Sequence, residues 1–592
     1  MRTKTEKNIQ LYKFPFRFAG SENIAMFILA LMNGICMILQ VYIVSDFIDS
    51  ALHSVENAKF DRGFYLSAYL LVLSVAVDWL CPRIINILRQ RAELKLKENY
   101  RPLLIEKCAK LKYRYVEQTE SWDLISRVLS NVEKQWMDMF QAVLSLLQLA
   151  VKIVGILMVI AGYIWWAALV ILLFCIPLFG VSVKSGKKNY QAQRDTSELT
   201  RRYDYFDLIL RDRETLDERK LFGYSEKVDE KYAEAYQEAF WIATKTKAYW
   251  VLKTKMSGAL SCVAALLIII TLIQPTLEGI ISVGLFISLV NSVFSLTGQM
   301  SWGLSRNIDA LVNGREFCKD MKAFSEQEEE DDVLELPEYI EDIQTIEFKK
   351  VHFRYPGTEF EVLRGVSFRM EMGKHYALVG KNGAGKTTII KLLTGLYPEY
   401  EGEILINGKE LRSYTKAQQK GMFSVVYQDY IRHALSFREN CQLGVPCGEV
   451  SEERIKELFD RFDLSEAVEK LPDGLDTPLG KIKKDSVDLS GGQWQKLAMV
   501  RALLGPEKVR ILDEPTAALD PRMESEVYGL FQQMTEERLT ILISHRLGFA
   551  STADEIIVFA DGRVSEKGDF HYLMEQKGLF YQMYEEQRSW YE

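Results

Sequence analysis

The chain has 592 residues, 48% of them hydrophobic and 26% charged, with a net charge of -8. An acidic balance without a long basic stripe argues against nucleic acid as a partner, and the eight cysteines show neither CxxC spacing nor a cluster with histidine, against a zinc site or a secreted disulfide framework. The mean hydropathy of -0.06 averages two unlike halves: up to about Met300 apolar runs of about 20 residues recur, the length that crosses a bilayer core, and beyond it none is long enough.

In chain order the predicted spans are Ile24 to Val44, Phe64 to Leu88, Phe140 to Gly162, Ile164 to Val183, Met256 to Ile273 and Ile280 to Leu296, about six membrane helices by length. The first follows a basic N-terminus but is too long for a signal-peptide core, and similar runs follow it, so it reads as a retained helix. Arg83 to Met139 and Lys184 to Lys255 are long, helical in pattern and rich in Lys and Arg, whereas the other loops are short. The positive-inside rule therefore places both termini and the two long loops in the cytosol.

Two charges interrupt the apolar spans, Asp78 and Lys152. Counted from the outer helix ends each lies roughly 15 to 21 Å deep, where facing lipid would cost about 2.5 to 3.5 kcal/mol. Either they form a structural ion pair between the second and third helices, or they line a cargo cavity. After the last span EQEEEDDVLELPEY reads as a solvated acidic linker. The expected division is a membrane domain over 1–324, the linker over 325–344 and a further domain over 345–592.

From Thr345 onward short β runs (TIEFKKVHF, HYALVG, EILING, MFSVVY, VRILDE, LTILIS, EIIVFA) alternate with helical stretches, which predicts an α/β domain with a largely parallel core sheet. HYALVGKNGAGKTTIIKLL is a strand, a glycine loop and a helix, with Gly380, Gly383, Gly385, Lys386 and Thr387 filling GxxxxGK[ST]. The glycines let backbone N–H groups wrap phosphates, Lys386 reaches β/γ oxygens and the Thr387 hydroxyl ligates magnesium. VRILDEP then ends an apolar strand in two carboxylates, Asp513 where a magnesium-holding aspartate belongs and Glu514 where a base can polarise attacking water. VDLSGGQWQK opens a second helix with a serine and two glycines, another anion site built from free N–H groups.

Together these motifs resemble the ATP-binding cassette (ABC) transporters, and among them the exporter-type half-transporters with the membrane domain first. LSGGQ from Leu489 to Gln493 matches the family signature, VVYQD its Q-loop at Gln428, AALD its D-loop at Asp520, ISHRL its switch histidine at His545, and Tyr355 in FRYPG its adenine-stacking aromatic. The resemblance implies a polytopic all-α membrane domain followed by an ABC-type ATPase using ATP and Mg2+. It assigns catalysis to Glu514, His545, Lys386 and Gln428, and the metal to Thr387, Gln428 and Asp513. Nucleotide contacts fall to Tyr355, Gly380, Asn382, Gly383, Gly385, Lys386, Thr387, Thr388, Ser490, Gly491, Gly492, Gln493 and Asp520.

In that family LSGGQ caps the ATP on the other domain's phosphate loop, so the expected unit is a dimer. Neither the signature nor the glutamate is degenerate, which favours a homodimer over a heterodimer with a related chain. ERKLFGYSEKVDEKY resembles the second cytosolic loop of these exporters, with its coupling helix, and YRYVEQTESWDLISRV resembles lantibiotic and microcin exporters. No Cys/His peptidase domain precedes the first span, so leader cleavage is not expected. One departure stands out: Gly480 is followed by KIKKDSVD where the family places a glutamate. Lys481, Lys483 or Lys484 is expected to face acids of a partner's cytosolic loops, with Glu117, Glu120 and Asp123 as candidates. The expected protein is a multi-pass exporter in lipid, in a bacterial plasma membrane with its ATPase domain cytosolic, moving an amphipathic substrate such as a peptide. The alternatives are a lipid or multidrug exporter and a membrane sensor that hydrolyses ATP without moving cargo.

Overall fold

The computed structural model describes residues 17–589 other than 214, 300–302, 331, 472, 515–528, 530–536 and 545–546. The chain divides into two units, Met1–Cys108 with Glu120–Gln327, and Ala109–Thr119 with Glu328–Glu592. A short piece of the first long loop thus belongs to the second unit, which the apolar pattern gave no means to foresee.

The first unit is helical: α1 (Gly20–Glu56), α2 (Arg62–Asn99), α3 (Val132–Tyr163), α4 (Trp165–Asp195), α5 (Ser225–Leu277), α6 (Val283–Gln299) and α7 (Ser305–Glu326). These helices cover the predicted spans, apart from Ile164 and 280–282 at the starts of the fourth and sixth, and overrun them. With 53 residues, α5 is about 80 Å long. Among the described residues α1, the Arg62–Lys110 stretch and α3 are long and apolar enough to cross a membrane. Met37, Val41, Ile156, Ile160, Leu272, Leu285 and Leu289 join α1, α3, α5 and α6 in one apolar core. On α2, Tyr65, Tyr69, Val72 and Trp79 remain exposed, as side chains facing acyl chains would be.

No ion pair joins Asp78 to Lys152 among the described residues, which corrects the structural-pair expectation. Asn33 donates its amide to Asp78 Oδ1 at 3.0 Å and accepts from Gln148 through its carbonyl. Lys152 is buried and donates to Gln299 at 3.4 Å. The reason is helical register: Gln148 lies one turn before Lys152 on α3. The Gln148 amide reaches Asn33, which in turn reaches Asp78, while the lysine reaches α6.

The second unit holds two sheets. An antiparallel one has the order β2-β1-β4-β5, built from β1 (Thr345–Arg354), β2 (Glu361–Glu371), β4 (Glu401–Ile406) and β5 (Lys409–Glu410). The other has the order β10-β9-β3-β8-β7-β6, from β3 (His375–Gly380), β6 (Phe423–Val426), β7 (Val509–Asp513), β8 (Leu539–Ile543), β9 (Glu555–Ala560) and β10 (Arg563–Gly568). All its pairings are parallel except that of β10 with β9. In β7 and β8 every residue is buried, the continuous pattern of strands covered on both faces. The expected strands are present, and β2, β5 and β10 are additions to that reading.

Helix α8 (Lys386–Leu393) packs Ile389, Ile390, Leu392 and Leu393 into the core shared by the two sheets. Helix α9 (Gly491–Leu504) instead packs Trp494, Leu497, Met499 and Leu503 into a separate core with Phe437, Leu458 and Phe459. The acidic stretch is partly engaged rather than wholly solvated: Glu328 pairs with Lys112 and Arg114, and Glu330 with Lys416.

Candidate active site

In a parallel sheet the C-terminal strand ends form one edge, and ligands gather there. The neighbours β3, β8, β7 and β6 bring Gly380, Ile543, Asp513 and Val426 to this edge, with Asp513 in register with Ile543 and Val426 with Leu512. Three inter-strand gaps make the edge about 14 Å wide. The loop after β3, the acids after β7 and Gln428, two residues beyond β6, therefore share one rim.

The phosphate loop turns where only glycine is comfortable. Gly385 has φ +102°, and a Cβ there would meet Leu363 Cδ2 at 2.6 Å. Replacing Gly385 with alanine is therefore expected to distort the loop and weaken ATP binding at least about tenfold, measured by nucleotide titration of the purified protein. Lys386 is buried and donates to the carbonyls of Gly380 at 2.7 Å and Lys381 at 3.2 Å, which centres its ammonium on the loop. Burial lowers its pKa, with Glu514 and Asp513 opposing. Asn382, Gly383 and Thr387 are exposed along the same loop.

Asp513 is buried, accepts a hydrogen bond from Thr387, and its Oδ1 finds no donor. Burial first, then the neighbouring Glu514 charge, pushes its pKa up to about 6. A hydroxyl beside a buried carboxylate with an unsatisfied oxygen is a donor set that fits a hard divalent cation such as Mg2+. Glu514 has φ +48°, a left-handed conformation uncommon for a side-chain-bearing residue, and its N–H donates to Ile543 O at 2.9 Å. Burial raises its pKa, with Lys386 opposing. Gln428 is exposed at this rim.

Tyr355 follows β1, and its hydroxyl lies 3.0 Å from the Thr388 hydroxyl of α8. Phe353 and Tyr397 meet its ring edge-on, with centroids at 5.0 and 5.4 Å. The sequence reading did not single out Lys391, whose ammonium stands 5.2 Å from the Tyr355 ring centroid. Its signal was helical spacing, since Lys391 follows Thr388 by about one turn of α8.

At the signature, Ser490 and Gln493 cap α9 reciprocally: Gln493 N–H donates to Ser490 Oγ at 3.2 Å, and Ser490 N–H to Gln493 Oε1 at 2.9 Å. Those two N–H groups are therefore occupied, and the Gly491 and Gly492 N–H groups are left to meet an anion. Tyr430, also not anticipated, donates its hydroxyl to Gly491 O at 3.0 Å. The KIKKDSVD segment is engaged within the chain, with Lys481 pairing to Asp488 at 3.1 Å. Within the chain, Glu117 pairs with Lys391 and Asp123 with Arg201. Asp520 and His545 lie outside the described residues.

Two family models match the chain: "ABC transporter transmembrane region" over residues 24–300 and "ABC transporter" over residues 363–517. Similar relatives include the subtilin transport ATP-binding protein SpaT of Bacillus subtilis, 27% identical across 97% of this chain and 92% of that one. The nisin transport ATP-binding protein NisT of Lactococcus lactis subsp. lactis is 24% identical across 97% and 94%, and the ATP-dependent lipid A-core flippase of Escherichia coli K12 is 24% identical across 87% and 85%. The fold is similar to that of a bacterial Atm1-family ABC exporter solved with ATP bound, with a TM-score of 0.74 at 20% identity over 97% of this chain and 98% of that one.

Proposed function

Because the chain belongs to the ABC transporters, with the family's transmembrane region and ATP-binding domain in one polypeptide, we propose that it is half of a dimeric exporter that moves an amphipathic peptide out of a bacterial cytosol. As a family member it is an integral membrane ATPase that couples ATP binding and hydrolysis to transport. The observation that carries the peptide class is similarity along nearly the whole length to the subtilin and nisin transport proteins, membrane half included. In this reading six helices cross the plasma membrane and both termini face the cytosol.

The phosphate loop and the signature helix are rooted in different apolar cores, which favours their closing on one nucleotide from opposite sides of a two-chain interface. Gly380, Asn382, Gly383, Gly385 and Thr388 line the triphosphate, and Lys386 neutralises its β/γ oxygens. Tyr355 carries the adenine. Ser490, Gly491, Gly492, Gln493 and Asp520 of the second copy close the site. Thr387, Asp513 and Gln428 would hold Mg2+, which supplies charge neutralisation at the transferring phosphoryl group. Glu514 orients the attacking water, and His545 senses the γ-phosphate. ATP binds the closed dimer better than the open one and so shifts the population toward it; hydrolysis reverses the shift.

Inside-out vesicles holding the protein should accumulate a labelled amphipathic peptide with ATP and not with a non-hydrolysable analogue. Uptake should be lost on Glu514→Gln. Lipid translocation without peptide uptake would favour a flippase, to which the Escherichia coli relative points. ATP hydrolysis with neither cargo moving would instead make the protein a sensor.

A further inference from the structure

We propose that Glu117, which arises in the loop between α2 and α3, is a positioning residue for adenine recognition, acting by fixing Lys391 against the ring of Tyr355. The proposal rests on the ATPase reading above and on Tyr355 as the base platform, and it adds a residue to that site.

The argument begins with where Glu117 sits. Residues Ala109–Thr119 form part of the second unit although the chain on both sides belongs to the first. The segment is fastened by backbone: Lys112 N–H donates to Glu328 O at 3.2 Å, and Glu330 N–H to Lys110 O at 2.7 Å. Its single helical turn, Tyr113–Glu117, ends on the acid. Glu117 Oε1 takes the Lys391 ammonium at 2.6 Å, and Oε2 accepts the Tyr397 hydroxyl.

Both of these partners reach Tyr355. Lys391 lies over its ring at 5.2 Å, and the Tyr397 ring meets it edge-on at 5.4 Å. An ammonium on an aromatic face attracts the ring quadrupole, and a carboxylate fixing that ammonium fixes the ring. Gln118 adds a second tie, donating to Pro356 O at 3.4 Å immediately after the tyrosine. Burial is the largest single influence on Lys391 and lowers its pKa, but the Glu117 bond and the neighbouring Tyr355, Tyr113 and Glu117 together raise it, so the lysine stays charged. Without Glu117 the lysine loses its anchor. Thus the loop between two membrane helices sets the platform on which the base stacks, and ATP occupancy is felt at that loop.

The test uses full-length protein in lipid nanodiscs and steady-state ATPase kinetics. Tyr355→Ala serves as the reference and should raise KM for ATP. Glu117→Gln, which keeps size and removes charge, should raise KM about three- to tenfold with kcat within about twofold. Lys391→Met should do the same. Because both act through one chain of contacts, the double variant should be no worse than either single. A conservative Glu117→Asp should recover part of the loss. If Tyr355→Ala raises KM and neither Glu117→Gln nor Glu117→Ala does, the relay is wrong and the site reading survives. Additive losses in the double variant would also overturn it, and an unchanged KM in Tyr355→Ala would remove the platform and the relay together.

Discussion

Chains carrying Lys386→Ala, mixed in equal amounts with chains carrying Ser490→Ala and Gly491→Asp, should recover about a quarter of the wild-type ATPase rate, although each variant alone is dead. The fraction follows from random pairing: about half the dimers are mixed, and each of those keeps one intact composite site of two. Each homodimer should fall by roughly two orders of magnitude or more, the scale seen when a positioned charge-stabilising donor is removed. The lesions are local. Lys386 sits at the centre of the phosphate loop, bonded to Gly380 O and Lys381 O. Gly491 offers one of the N–H groups left over after Ser490 and Gln493 cap each other, and an aspartate there sets a carboxylate where a phosphate must approach. Co-expression with two different tags and tandem purification isolates the mixed species for a phosphate-release assay. No recovery in that species would mean that the signature does not complete the other chain's site, or that one site cannot turn over alone.

How much of this was readable beforehand depended on whether the signal was local. GKNGAGKTT and VRILDEP each state their chemistry within a few residues, and the parallel sheet then brings Gly380 and Asp513 to one rim because β8 alone separates β3 from β7. Apolar runs fall on long helices, and among the described residues three of these helices are long and apolar enough to cross a membrane. What stayed illegible was pairing at a distance. Glu117 and Lys391 are separated by 274 positions, and no pattern in either segment names the other. For the same reason a pair of Asp78 with Lys152 was one of two readings when only charge and depth were known, whereas Asn33 of α1 donates to the carboxylate and Gln148 of α3 donates to Asn33. Glu117 was noticed for its charge, and within the chain it is Lys391 that it meets, while Lys481 closes on Asp488 a few residues along. Charge identifies a residue that needs a partner, and geometry decides which.

The second large effect concerns Asp513, whose replacement by asparagine should abolish ATPase activity and yet stabilise the nucleotide-free protein. Its carboxylate is buried beside Glu514 with one oxygen unsatisfied, and its pKa stands at about 6 against an ordinary 3.8. Between those values the folded state holds a proton that the unfolded chain releases, so stability falls as pH rises through the window. Above it the ionised acid costs on the order of 1 to 3 kcal/mol. Asparagine has no such titration. The melting temperature of Asp513→Asn at pH 8 without nucleotide should therefore exceed that of the wild type. The gap should narrow as pH falls below about 6 and close near 4. Adding Mg2+ and ATP should reverse the order, because ligand binding stabilises only the chain that can hold the metal. A variant that melts below wild type at pH 8 without nucleotide would show that the buried carboxylate is a structural asset rather than a strained metal ligand. The site would then owe its acid to folding, and the metal would need another holder.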